Sequence, residues 1–274
     1  MKPSEINLDF YQPQVMAILN VTPDSFFEES CKFSIEHIED RVNQIVAEGA
    51  TIIDVGGYSS RPGAEEVSIE EEWSRVERGI KAVRKVSANI AISLDTFRAE
   101  VAERALKKFG ALIINDISAG ELDPRIIEVV AKYRVPYIAM HMRGTPQTMQ
   151  HKTTYNNVVE DIARYFEQRT EHLIACGVSR IIIDPGFGFA KTIDQNYEII
   201  AGLSRLVALG YPVLVGVSRK SMIYKLLGCN ADNALAGTIA LNWEALSQGA
   251  SILRVHDVRE AADVVKIYNK FLEI

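Results

Sequence analysis

Runs of β-branched and aliphatic residues recur along the chain, and each stops on a polar or charged side chain. The run 15–19 closes on Asn20, 51–53 on Asp54, 91–94 on Asp95, and 111–114 on Asn115 and Asp116. The run 136–140 closes on His141, 180–183 on Asp184, 212–217 on Ser218, and 251–253 on Arg254, with His256 just beyond. Between the runs the apolar spacing changes from that of a strand to that of a helix. Segment 34–48 carries Ile35, Ile38, Val42, Ile45 and Val46, and 69–86 carries Trp73, Val76, Ile80 and Val83, each set on one helical face. Ser68, with Glu71 three residues later, predicts a capping box at the start of the second of these. The same reading predicts helices over 98–109, 124–132, 155–176, 193–209, 219–227, 232–248 and 258–272.

Eight strand-like runs, seven of them followed by helix before the next, predict an α/β fold: a single (β/α)8 TIM barrel spanning residues 1–274 as one domain. An open doubly wound sheet is the alternative, but eight alternating units in this length favour closure. The longest connections, 21–33, 56–68, 142–154 and 185–192, all follow strands and so share one face. The opposite turns, such as Gly49-Ala50, Gly110-Ala111 and Gly249-Ala250, are short. Barrels of this kind carry their reactive groups where strands end. The polar terminal residues are therefore the candidate active site.

Composition narrows the chemistry. The apolar runs fall far short of the roughly 20 residues that cross a bilayer, so no membrane association is expected. The amino-terminal stretch holds no long apolar segment, so no secretory leader is expected. A net charge of −6 offers no basic stripe for nucleic acid, although it permits a local cationic pocket. Cys31, Cys176 and Cys229 are odd in number and widely spaced, a pattern of reduced thiols in a cytoplasmic protein rather than of disulfides or a zinc site.

Asp54, Asp95, Asn115, Asp116 and Asp184 close strands two, three, four and six and are expected to point into one mouth. Any one of them could simply cap a helix or satisfy a turn amide. Together they would repel unless something offsets them, and a flat ligand with ring N–H and amino donors would do so. Arg61, Lys220, Arg254 and His256 follow strands two, seven and eight. They could hold a phosphate or diphosphate, helped by a helix beginning near Lys220. A solvated surface charge is the bland reading of Lys220 or Arg219, and a helix cap that of His256. The loops after barrel strands seven and eight favour phosphate. Gly186-Phe187-Gly188-Phe189 lacks the spacing of a dinucleotide fingerprint and reads instead as a turn presenting Phe189 at a pocket edge.

Segments 20–26, 51–57, 59–63, 93–96, 114–117, 140–146, 184–189, 218–221 and 254–257 together resemble the bacterial dihydropteroate synthases, a family of pterin-binding barrels, and the likeness runs over about 15–265. The resemblance implies condensation of 6-hydroxymethyl-7,8-dihydropterin diphosphate with 4-aminobenzoate, with Mg2+ and a homodimer. It places Asn20 at the metal and diphosphate, and Ser60 and Arg61 on diphosphate. Asp95, Asn115 and Asp184 would read the pterin edge, and Lys220 its carbonyl and ring nitrogen. Arg254 would lie against the pterin near phosphate, with His256 on phosphate. Phe26, Pro62, Phe189 and Ser221 would line the aminobenzoate pocket. Breaking the bond between methylene and diphosphate spreads positive charge over the pterin, which suits carboxylates there and cations at the leaving group. Among departures from the family pattern, Tyr58 stands for a common Glu and Ser60 for a common Thr, and the stretch after Phe26 is poor in glycine. A corrinoid-dependent pterin methyltransferase and a non-catalytic pterin-binding protein are the rival readings. Ser60, Arg61, Lys220, Arg254 and His256 weigh against both.

Overall fold

Eight parallel strands form a ring in which inward and outward side chains alternate along each strand. The computed structural model describes residues 6, 8, 10, 12–21, 35–58 and 66–274. Phe26, Cys31, Ser60, Arg61 and Pro62 lie outside these residues. The elements run β1 (Gln14–Asn20), α1 (Ile35–Glu48), β2 (Ile52–Gly56), α2 (Ile69–Val86), β3 (Ala91–Asp95), α3 (Ala99–Phe109) and β4 (Ile113–Asp116). They continue with α4 (Arg125–Tyr133), β5 (Tyr137–Met140), α5 (Val158–Ala175), β6 (Ile181–Asp184), α6 (Ile193–Ala201) and α7 (Leu203–Val207). The chain ends with β7 (Leu214–Val215), α8 (Ser221–Leu226), α9 (Leu235–Ser247), β8 (Ile252–Val255) and α10 (Val258–Leu272). Among the described residues no helix is long and apolar enough to cross a membrane.

The sheet order is β6-β5-β4-β3-β2-β1-β8-β7. Its two edges meet through a parallel bridge between Ile183 and Val213, beside which Ile183 N donates to Pro212 O at 3.0 Å. This closes the barrel and excludes the open sheet. Period-two alternation then sorts the strand residues. Met16, Ile52, Ile113, Ile138, Ile182, Leu214 and Ile252 pack together inside the lower barrel, with Ile6, Leu8 and Phe10 against them. Burial of each is worth about 1.5–3 kcal/mol. Ala17, Leu19, Ile53, Val55, Ile92 and Leu94 face outward into the core shared with the helices. Moving up each strand by two residues from the apolar layer leads to polar groups: Ile52 to Asp54, Ile113 to Asn115, Ile182 to Asp184 and Ile252 to Arg254.

The helices depart from the sequence reading at identifiable residues. The predicted helix 193–209 breaks at Gly202, where α6 ends and α7 begins. A Cβ there would stand 2.8 Å from Val159 Cγ2 on α5, so the absence of a side chain lets the two elements approach. Helix α5 starts three residues later than expected, because the Asn157 side chain accepts from Val159 N and Glu160 N at 3.1 Å each. Ser68 caps α2 by accepting from Glu71 N at 3.1 Å, but the Glu71 carboxylate pairs with Arg75 at 2.9 Å. The predicted run 212–217 contributes only two residues to strand β7 before the chain turns, with Lys220 N donating to Val217 O.

Candidate active site

Asp54 lies in the middle of β2 rather than at its end, with its side chain wholly buried inside the barrel. Its Oδ2 accepts from Asn115 Nδ2 at 3.0 Å and from Arg254 Nε at 2.7 Å. Arg254 lies within β8, not beyond it, and its Nη2 donates to Asp95 Oδ2 at 2.8 Å. One guanidinium thus clamps two carboxylates from neighbouring strands, which supplies much of the offset their mutual repulsion requires. Burial alone would lower the Arg254 pKa, but Asp54 and Asp95 reverse that and hold it above its ordinary value. Burial raises Asp95, against the lowering influence of Arg254. Arg254 therefore joins the acidic group rather than standing apart among the cations. Among the described residues, Asp54 Oδ1 and the neighbouring Ser93 Oγ have no hydrogen-bond partner.

Asp116 corrects the expectation that all five acid and amide side chains face the mouth. Asn115 and Asp116 are consecutive in β4 and point to opposite faces. Asp116 Oδ1 accepts from the backbone N and Oγ of Ser118 at 2.8 Å each, and its Oδ2 from Gly120 N and Tyr137 Oη at 2.7 Å each. It organises its own loop and takes no part in the mouth. At the upper rim, a Cβ on Gly56 would stand 3.4 Å from Asn20 Oδ1 and 3.6 Å from Asp95 Oδ2. The ends of β1 and β3 thus meet over a residue without a side chain.

The loop after β6 brings Asp184 to Lys220. Asp184 Oδ1 accepts from Gly186 N at 2.7 Å. Gly186 has φ +73°, and a Cβ there would lie 2.2 Å from His141 O, so both the conformation and the space demand glycine. Lys220 donates to Phe187 O, and its Nζ stands 5.1 Å from the centre of the Phe189 ring. Phe187 is buried in the helix-side core, whereas Phe189 is half-buried at the mouth, as the sequence suggested. Burial pushes Lys220 down to about 8, opposed by Asp184. Burial raises Asp184 in turn, opposed by Lys220.

The remaining candidates surround these two groups. His256 Nδ1 lies 3.0 Å from Ser218 Oγ, which also accepts from His256 N at 3.1 Å. Arg219 is no solvated surface charge: its Nη2 donates to Asp257 Oδ1 at 2.8 Å and its Nη1 to Ala231 O at 2.9 Å. Ser221 opens α8, a helix of six residues with Lys220 at its N-cap position. The base of the second loop is fixed by Arg98, whose guanidinium carbon lies 5.2 Å from the Tyr58 ring centre while its Nη1 pairs with buried Glu72 at 2.9 Å.

Two features escaped the sequence reading. Ile117, Met140, Met142, Met149 and Ala190 form an apolar cluster separate from the main core, with Phe97, Leu122 and Phe189 packed on it. It gives the polar rim an apolar wall. The only sequence signal was apolar residues placed immediately after polar strand ends, as Ile117 and Met142 are. The second feature is Lys191, buried with its ammonium against His141 and two loop carbonyls. A lone lysine after an aromatic turn carries no recognisable pattern.

Residues 16–256 match the family of pterin binding enzymes. The chain belongs to that family. It is 41% identical over 263 residues to the dihydropteroate synthase of Haemophilus influenzae, covering 95% of this chain and 94% of that one. Its fold matches that of Yersinia pestis dihydropteroate synthase in complex with a sulfonamide drug, with TM-score 0.92, 38% identity and coverage of 100% and 99% of the two chains. Xanthomonas albilineans dihydropteroate synthase in complex with 7,8-dihydropteroate matches with TM-score 0.87, 35% identity and coverage of 97% and 96%. This pterin-binding enzyme therefore resembles synthases along nearly its whole length.

Proposed function

We infer that this pterin-binding enzyme is a transferase that condenses 6-hydroxymethyl-7,8-dihydropterin diphosphate with 4-aminobenzoate to 7,8-dihydropteroate and diphosphate, as a folate-pathway synthase built on one barrel domain. The observation that carries the reading is the convergence of Asp95, Asn115 and Asp184 with Lys220 and Arg254 on one rim beside an apolar wall. A flat pterin fits that setting. Asp184, Asn115 and Asp95 accept from its N–H and amino groups, Lys220 donates to its carbonyl and ring nitrogen, and the apolar wall covers its face.

Departure of diphosphate breaks the methylene C–O bond, and both electrons leave with oxygen. The pterin left behind is cationic, and the carboxylates under it stabilise that charge. His256, Arg61 and Ser60 take the leaving group. The arylamine nitrogen then bonds to the methylene carbon and releases its proton, so no covalent enzyme intermediate is needed. Phe189 and Ser221, with Phe26 and Pro62, hold the aminobenzoate. Among the described residues no group of three or more His, Cys, Asp or Glu side chains could hold a metal. Asn20 brings one amide oxygen to the rim, a hard donor of the kind that Mg2+ takes, and would hold that ion arriving with the diphosphate. When bound, Mg2+ offsets charge on the departing diphosphate.

A homodimer accords with the outer surface. Leu226, Leu227, Phe271 and Leu272 are exposed on α8, its C-cap and α10, and Trp243 of α9 stacks edge-on against Phe271. Helix α9 combines Leu235, Ala236, Ile239, Ala240 and Trp243 on surfaces that its own barrel covers only in part. A cytoplasmic setting accords with the free Cys176 and Cys229. Purified protein supplied with Mg2+ and both substrates is expected to release dihydropteroate and diphosphate, and to release no dihydropteroate when either substrate is omitted. Pterin binding without turnover would point to a non-catalytic binder, and corrinoid-dependent methyl transfer to the methyltransferase reading.

A further inference from the structure

Lys191 is buried, and its Nζ stands among four acceptors of which none bears a formal charge. They are Gly186 O at 2.9 Å, Phe189 O at 2.9 Å, His141 Nδ1 at 3.1 Å and His141 O at 3.4 Å. The first two belong to the tight turn after β6, and His141 follows β5. An apolar side chain of similar length would fill this volume without the desolvation that a buried ammonium suffers. What the lysine adds is a three-way tie between neighbouring strand ends. The tied turn is also the support of Lys220: Phe187 O accepts from Lys220, and the Phe189 ring lies 5.1 Å from its Nζ. The turn holds Asp184 too, through Gly186 N at 2.7 Å.

We propose that Lys191 is a positioning residue for the condensation, acting through the Gly186–Phe189 turn to set Lys220 and the Phe189 ring against the bound pterin and the arylamine. Its effect reaches the substrates through that turn, and the proposal rests on the synthase reading. Burial holds His141 well below its ordinary pKa, with Lys191 adding to the effect, and burial lowers Lys191 likewise, opposed by Asp184. The Lys191 side chain is buried among these groups, so it acts through the turn and not on the substrates themselves.

The test pairs kinetics with hydrogen exchange. Lys191→Met is expected to lower kcat/KM on the order of 100-fold, as misplacement by about 1 Å does. In a Lys220→Ala background the same substitution is expected to cost about tenfold at most, because one of the two side chains through which it acts is gone while the Phe189 ring remains. Lys191→Gln, which keeps amide N–H donors for the carbonyls, is expected to recover part of the loss. It replaces Lys191→Met under the same criteria should the methionine variant fail to fold. Amide exchange across 184–192 is expected to speed up in the variant while the lower barrel strands remain protected. Equal losses in the two backgrounds, or unchanged exchange across the turn, would overturn the tie. A wild-type protein without turnover would instead remove the synthase reading, and the exchange result alone would then decide whether the tie exists.

Discussion

At the residue scale, the site depends on how Arg254 balances its neighbours. Arg254 donates to Asp54 at 2.7 Å and Asp95 at 2.8 Å, and the Asp54 side chain is wholly buried. Arg254→Met would leave two carboxylates inside the barrel without their cation. The expected cost is about 3–5 kcal/mol of stability, read from the midpoint of urea unfolding. Lys220 gives a prediction in pH. Its pKa falls from 10.5 to about 8. If the ammonium is the form that supports catalysis, kcat/KM falls as pH rises through about 8, and Lys220→Arg moves that limb beyond the accessible range. The sign for stability is opposite: between about 8 and 10.5 the unfolded chain holds the extra proton, so this group makes folding more favourable as pH rises. The sequence announced Asp95, Asn115, Asp184, Lys220 and Arg254 by position alone. It could not announce that Arg254 would serve Asp54, because that bond joins residues 200 positions apart and depends on barrel closure. Nor could it separate Asn115 from Asp116, which requires knowing which parity faces inward.

At the element scale, strand ends and the turns that follow them determine where the chemistry sits. The turn after β6 is the tightest case. Gly186→Ala would place a Cβ 2.2 Å from His141 O in a backbone with φ +73°. Left-handed strain alone costs about 1–3 kcal/mol, and the clash must be relieved by moving either β5 or the turn. The variant is expected to melt at a lower temperature and to bind pterin more weakly, in a thermal scan and a ligand titration respectively. Most element boundaries were legible from apolar periodicity, as in α10, and in α2 the Ser68 cap agrees with it. The exceptions were decided by packing or by competing caps. Gly202 breaks a long helix against Val159, and Asn157 starts α5 later than its apolar pattern does.

At the scale of the whole molecule, a closed ring brings residues from six strands to one rim, with the helices forming its outer wall. The apolar surface on α8 to α10 predicts a dimer by sedimentation. Replacing Leu226 and Leu227 together with Glu is expected to yield a folded monomer; if the wild-type protein sediments as a monomer, that surface has another purpose. In the proposed synthase one rim grips a flat ring through acid and amide groups and its diphosphate tail through cations. The most direct measurement compares the affinity of two ligands, the hydroxymethyl pterin and its diphosphate, in Asp184→Asn and His256→Ala. Asp184→Asn is predicted to weaken both ligands by about 1.5–3 kcal/mol, the size of a hydrogen bond to a charged group. His256→Ala is predicted to weaken only the diphosphate. Unchanged binding of both ligands in Asp184→Asn, or equal weakening of both in His256→Ala, would contradict it.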